Sequence, residues 1–456
     1  MSLSPLQVFP EDYSLLTDLY QLTMSACYVG EGLDQRRASF ELFTRRLPPN
    51  FGYIVAMGLT QAMEYLESLA FSDRHIAQLQ TMSIFDHAPA AFWETLHNAR
   101  FTGDVWAVPE GTVMFANEPL LRVEAPLWQA QIVETYLLNV VNYQTLIATR
   151  AARLRDVAGP DTKLLEFGTR RAFSPQGALW AARAALAGGF DSTSNVLAAL
   201  QLGEQPTGTM AHALVMAIAA LEGSEDDAFA AFHRYFPGAP LLIDTYDTVA
   251  AARRLAAKRQ QGEYALAGVR LDSGDLAELS KQVRELLPDV AIFASGDIDE
   301  YEIHRLNQAG ASIDGYGLGT RLVTGTPVNG VYKLVEIDGI PVMKESSSKA
   351  TYPGCKQVFR HYEGDRAVQD WLALATESQN HGAQPLLQPM MQNGQLITQL
   401  DSLADIAQRT AQSVASLPPE SRQVQDPQPY PVNITSALEQ ETQTTRERRA
   451  SKMTQT

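Results

Sequence analysis

Seven consecutive residues, Val269, Arg270, Leu271, Asp272, Ser273, Gly274 and Asp275, place a guanidinium, two carboxylates and a hydroxyl directly after an apolar run. Carboxylates in such a turn can accept hydrogen bonds from sugar hydroxyls or help to hold Mg²⁺, and an arginine can pair bidentately with a carboxylate or phosphate. The plainer reading is a helix start, with Ser273 or Asp272 as the cap and Asp275 complementing the dipole. Capping leaves Arg270 unexplained.

Three further stretches carry chemistry. Gly315-Tyr316-Gly317-Leu318-Gly319-Thr320 alternates glycines, so backbone amides can approach an anion closely. No Gly-Lys-Ser/Thr follows and the Rossmann spacing is absent, which leaves an ordinary tight turn or a phosphate turn of another kind. Phe167, Gly168, Arg170 and Arg171 join an aromatic face to two guanidinium groups. They can stack a heteroaromatic ring and bind a planar anion, or simply pair with acidic neighbours. Thr207-Gly208-Thr209-Met210-Ala211-His212 opens an apolar helix. Spacing alone favours a partly buried, hydrogen-bonded imidazole there over a nucleophile or base. The remaining histidines, His75, His87, His97, His233, His304, His361 and His381, show no HExxH or related spacing, which argues against a zinc site.

These stretches need elements to bring them together. From 163 to about 334 a short apolar strand repeatedly runs into a polar or Gly-rich turn and then a helix. The strands begin near Leu164, Leu241, Ala267, Ala291 and Ile313, with helices predicted at about 178–187, 248–260, 275–287 and 299–309. This rhythm predicts a parallel sheet whose polar turns share one face. A barrel and an open doubly wound sheet both fit the periodicity. Residues 1–125 read as mixed α and β, with helices at 18–28, 53–69 and 73–80, a strand at 38–43 and strand-like pieces within 101–123. A long helix follows at 129–158. Strand-like pieces return after 335 and are expected to complete the N-terminal part. The domain reading is therefore 1–125, 126–334 and 335–440, with a mobile tail over 441–456.

Composition bounds the partners. The 456 residues are 45% hydrophobic and 19% charged, which is ordinary globular chemistry with room for two or three domains. The net charge of −16, with no long basic run, excludes a general nucleic-acid binder. A small anion is still allowed where a few arginines converge. Cys27 and Cys355 lack metal-ligand or CxxC spacing, so a reducing, cytoplasmic setting is expected. The start shows no secretory leader, and the most uniform apolar run, 213–221, is far short of the roughly 20 residues that span a bilayer. No membrane association is expected.

Taken in order, DLYQLTM at 18–24, FELFTRR at 40–46, EFGTRRA at 166–172, GGFDSTSNV at 188–196, GTMAH at 208–212, GVRLDSGDL at 268–276 and GYGLGT at 315–320 resemble the nicotinate phosphoribosyltransferases. VYKL at 331–334, KATYPGCK at 349–356 and QPYPV at 428–432 continue the resemblance, which runs over roughly 15–435. It implies an irregular TIM-like α/β barrel of the type II phosphoribosyltransferases, with a discontinuous α+β subdomain from the N- and C-terminal parts. It further implies a homodimer with shared active sites, and formation of nicotinate mononucleotide and pyrophosphate from nicotinate and 5-phosphoribosyl-1-pyrophosphate. ATP is implied as co-substrate, in a ligase-type reaction of NAD salvage, with Mg²⁺ as cofactor. By this resemblance His212 is transiently phosphorylated, which displaces the bland reading of that histidine. Tyr20 of a neighbouring subunit and Phe167 sandwich the pyridine ring. Arg170 and Arg270 hold the carboxylate or the donor phosphates, and Ser192, Ser194 and Thr209 assist. Asp272 and Asp275 bind ribose hydroxyls or Mg²⁺, while Gly317, Gly319 and Thr320 cradle the 5-phosphate near Thr351. Two alternatives stand beside this: a nicotinamide-specific relative, disfavoured by EFGTRRA and FDSTSNV, and a catalytically silent scaffold, disfavoured by His212, Arg170, Arg270, Asp272 and Asp275.

Overall fold

The computed structural model describes residues 6–346, 349–378 and 382–453; His381 lies outside the described residues. The chain divides into two compact units, Met1–Leu146 with Pro327–Thr456, and Ile147–Thr326. The sequence reading placed these boundaries at 125 and 334.

In the first unit both ends of the chain build one seven-stranded antiparallel sheet. Its order is Ile340–Pro341, Gly330–Ile337, Arg37–Thr44, Pro119–Pro126, Asp104–Ala107, Gln388–Gln392 and Gln395–Leu396. The discontinuous subdomain is therefore real, with late strands flanking early ones on both sides. Asp338 and Gly339, at φ of 48° and 72°, form the left-handed two-residue turn that suits a hairpin twist. A four-stranded sheet of Gln384–Pro385, Lys356–Glu363, Arg366–Leu374 and Val432–Ile434 carries a buried ion pair. Arg360 grips Asp370 with two bonds of 2.8 and 2.6 Å, and Tyr430 donates to the same carboxylate at 3.2 Å. Because both charges are fully buried, removing either partner alone would strand the other.

Two expectations change here. The stretch read as one helix over 53–69 is a strand, Ile54–Val55, followed by a helix, Leu59–Glu67, because Gly58 at φ 90° breaks the path. The stretch read as a mobile tail over 441–456 is helical through Ser436–Met453, where Thr442 and Thr445 are buried. A helix at Leu403–Ser416, opened by the capping box of Ser402 and Asp405, was not foreseen.

The second unit contains six strands: β1 (Lys163–Glu166), β2 (Ser192–Thr193), β3 (Leu241–Leu242), β4 (Gly268–Leu271), β5 (Ala291–Gly296) and β6 (Gly315–Leu318). All neighbours are parallel, in the order β2-β1-β6-β5-β4-β3. The first strand pairs with the last, and the others follow in chain order around the ring. A doubly wound sheet reverses at a switch point; this order instead closes like a barrel and is open between β2 and β3. Leu164, Val269, Leu271, Ile292, Ala294 and Leu318 are fully buried, as strands covered on both faces require. The helices are α1 (Pro175–Ala187), α2 (Val196–Leu202), α3 (His212–Glu222), α4 (Glu225–Tyr235), α5 (Thr248–Gln260), α6 (Leu276–Leu286), α7 (Glu300–Gln308) and α8 (Thr320–Val323). Side chains of Ser174, Asn195, Ser224, Asp247, Asp275 and Asp299 cap six of them; α3 and α8 start without one.

Candidate active site

Every strand of the second unit ends at the same rim, so the turns at 167–171, 243–247, 272–275 and 297–299 converge. Arg270 is the penultimate residue of β4. Its Nη1 donates to Thr209 Oγ1 and its Nη2 to the Met210 carbonyl, both at 2.8 Å, while Nε is buried without a partner. Neither partner is anionic, and among the described residues no ion pair reaches it. Burial lowers its pKa, opposed by Asp272 and Asp244 and reinforced by Arg170. A guanidinium held this way keeps its charge for a ligand.

Asp272 follows at the strand end. Ser295 at the end of β5 donates to its Oδ1 at 2.5 Å, which fixes its rotamer. Its own amide donates to Asp244 at 2.9 Å, and Ser273 Oγ donates to the same Asp244 oxygen at 2.6 Å. The helix cap is Asp275, not Ser273 or Asp272: its Oδ1 accepts from Ala277 and Glu278 at the start of α6. Asp272 therefore faces the rim while Asp275 also serves the helix.

His212 is the first residue of α3. Its Nδ1 lies 3.0 Å from Thr245 Oγ1, and its Nε2 lies 3.8 Å from the otherwise unpartnered Oδ1 of the buried Asp244. The imidazole is 37% exposed, accessible enough to react. Sequence reasoning passed over Asp244, Thr245 and Ser295, although Asp244-Thr245 and Ser295 both follow apolar runs that it read as strands.

Phe167 leads out of β1. Its ring lies across Gly317 of β6, where a Cβ would stand 2.4 Å from the ring. Gly317 thus makes room for an aromatic ring. Glu166, buried beneath, accepts from the Gly168 amide and from Thr193 Oγ1, tying the arginine-bearing turn to β2; burial raises its pKa. Arg170 stands exposed on that turn, close enough to bear on Arg270. Ser192 Oγ contacts Gln205 O and Thr207 Oγ1 at 3.1 and 2.8 Å, so it steadies the approach to His212. Ser194 is half-buried, its amide donating to the Glu166 carbonyl at 2.9 Å. Gly319 and Thr320 open α8, with the Phe167 carbonyl 3.0 Å from where a Gly319 Cβ would sit.

Two residues from the sequence reading belong to the other unit. Tyr20 is half-exposed on the helix Leu19–Gly30. Thr351 is buried and closes a turn with Lys344 through bonds of 3.1 Å in both directions. Among the described residues no three His, Cys, Asp or Glu side chains gather as a metal cage. One or two carboxylates at a rim are nonetheless what Mg²⁺ uses when substrate phosphates and water complete its shell. Asp272, with Oδ2 uncommitted, and Asp275, whose cap uses Oδ1 alone, fit that pattern better than a closed site. No helix among the described residues is long and apolar enough to cross a membrane.

The arrangement offers a free guanidinium, an oriented carboxylate, a supported imidazole and an aromatic face on one rim. Comparison with known proteins gives the same direction. Residues 15–142 match the N-terminal domain model of nicotinate phosphoribosyltransferase, 162–307 the family model and 378–442 the C-terminal domain model. The chain is 41% identical to a nicotinate phosphoribosyltransferase of Mycobacterium tuberculosis over 440 residues, covering 93% of this chain and 92% of the relative. It is 40% identical to the Bacillus subtilis protein of that name over 467 residues, covering 93% of each. The crystal structure of human nicotinic acid phosphoribosyltransferase superposes with a TM-score of 0.82 at 32% identity, covering 94% of this chain and 99% of that one.

Proposed function

The chain belongs to the nicotinate phosphoribosyltransferase family, and from that premise we propose that it joins nicotinate to 5-phosphoribosyl-1-pyrophosphate, forming nicotinate mononucleotide and pyrophosphate for NAD biosynthesis. The observation that carries this reading is Arg270: a guanidinium held by two neutral oxygens on the rim, with its charge unspent. It matches the carboxylate that separates nicotinate from nicotinamide, and a neutral amide would leave it uncompensated.

In the proposed reaction the C1–O bond to pyrophosphate breaks as the ring nitrogen bonds to C1, and positive charge grows on the ribose. No protein nucleophile is needed at that carbon; the chain supplies position and field. Phe167 offers a face to the pyridine ring, with Arg270 and Arg170 taking the carboxylate or donor phosphates. Asp272 holds ribose hydroxyls through the oxygen that Ser295 leaves free. Asp272, assisted by Asp275, would hold Mg²⁺, which when bound neutralises the departing pyrophosphate. Gly319 and Thr320 are assigned to the 5-phosphate, with Gly317 reassigned to seating Phe167.

ATP enters by phosphorylating His212: a ring nitrogen bonds to the γ-phosphorus, ADP departs, and later hydrolysis returns phosphate. The start of α3 lacks a side-chain cap, so its dipole favours the added negative charge. Tyr20 is assigned to the site of a neighbouring subunit in a homodimer, and the two free cysteines suit a reducing cytoplasm. The test is pyrophosphate release with nicotinate or nicotinamide, with and without ATP, for wild type and His212→Ala. Nicotinate should be preferred, and ATP should stimulate wild type alone. Preference for nicotinamide would reject the substrate, and an equal ATP response in the mutant would reject the histidine.

A further inference from the structure

The residues just before His212 are held by Arg270 together with the buried side chain of Met210. Residues 204–211 have no regular secondary structure. Thr207 is tied to the Thr193 carbonyl at 2.9 Å, and His212 to Thr245 at 3.0 Å. Between them the side chain of Arg270 holds Thr209 and Met210. Packing does not share that task at Gly208, where a Cβ would meet nothing within 4 Å. One guanidinium therefore does two things: it offers charge to the rim, and it anchors the segment that presents the imidazole.

We propose that Thr209 is a positioning residue that couples nicotinate binding to the state of His212, rather than a group that touches substrate. The inference rests on the functional reading above and adds to it a path between two sites. An anion engaging Arg270 restrains its guanidinium, and with it the two N–H groups that hold Thr209 and Met210, ordering 208–211 and hence His212. Coupling of this kind is reciprocal: if phosphorylated His212 favours nicotinate, nicotinate favours phosphorylation by the same factor.

The experiment measures the KM for nicotinate with and without ATP in wild type, Thr209→Ser and Thr209→Val. Serine keeps the acceptor; valine keeps the shape and removes it. The valine variant should raise the KM about tenfold, the lower end of what a hydrogen bond to a charged group contributes. Its ratio of KM without ATP to KM with ATP should fall toward one, whereas serine should retain the wild-type ratio. A general packing defect would leave that ratio unchanged, and thermal melts of both variants check folding. If valine keeps the wild-type ratio, the coupling is wrong while the functional reading stands. If wild type does not turn over nicotinate, the functional reading fails and the coupling falls with it.

Discussion

Asp244 divides its carboxylate between two turns: Oδ1 lies 3.8 Å from Nε2 of His212, and Oδ2 accepts from the Asp272 amide at 2.9 Å. One buried group thus supports the imidazole and holds the loop that presents Asp272. Replacing Asp244 with Ala should lower ATP-stimulated turnover by at least about fivefold, since orphaning the buried partners of one carboxylate costs roughly 1–3 kcal/mol. Asn, which can still accept from the Asp272 amide, should keep more of the ATP-free rate. Steady-state pyrophosphate release with and without ATP distinguishes the two, and an unchanged ATP response in Ala would rule out the arrangement.

Gly317→Ala should disturb the pyridine site from beneath. The new methyl would stand 2.4 Å from the Phe167 ring, which must tilt or leave. Overpacking of this kind costs about 1–3 kcal/mol of stability. The nicotinate KM should rise on the order of tenfold, on the scale of aromatic stacking lost from a site. Melting temperature and KM measured together check this; a KM at the wild-type value would show that Phe167 does not contact the base.

Glu118 gives stability a pH dependence. It is fully buried near Asp370, and desolvation, then the Asp370 charge, pushes its pKa well above the usual carboxylate range. A carboxyl protonated in the folded state and ionised in the unfolded one makes stability fall as pH rises above the unfolded value, up to the raised folded pKa. Glu118→Gln removes that group, so the variant should gain on wild type in melting temperature between pH 5 and pH 8. Parallel melting curves across that range would contradict the assignment.

The two carboxylates of the rim should separate by phenotype. Asp275→Ala removes the cap of α6 and should cost about 1 kcal/mol, while Asp275→Asn should cost little. Asp272→Asn should instead leave melting near wild type and raise the Mg²⁺ concentration needed for half-maximal turnover. Chelator should abolish turnover and added Mg²⁺ restore it. A reversed pattern, with Asp275 variants alone shifting the Mg²⁺ requirement, would transfer the metal role to Asp275.

Much of the barrel was legible because its signal is local. Apolar runs followed by polar turns located β1, β3, β4, β5 and β6, and the periodicity of 248–260 matched α5 to the residue. The two-residue strand β2 and the Gly58 break are too short to leave a period, and the C-terminal helix has little apolar contrast to reveal it. Arg270 and Asp272 were visible as chemistry at a strand end, whereas His212, at the start of a helix, stood out only through the family resemblance.

Which partner each of those groups holds was not visible, because hydrogen bonds between turns tens of residues apart depend on register and ring order. Only the folded chain pairs β1 with β6, so that Phe167 needs Gly317 bare. Only the folded chain sets Asp244 beneath His212 and gives Arg270 neutral partners. The amino-acid order determined which groups could act; the closing of the ring decided which remain free to do so, since packing pairs most buried polar atoms and leaves a few, Arg270 Nε and Asp244 Oδ1 among them, without a partner.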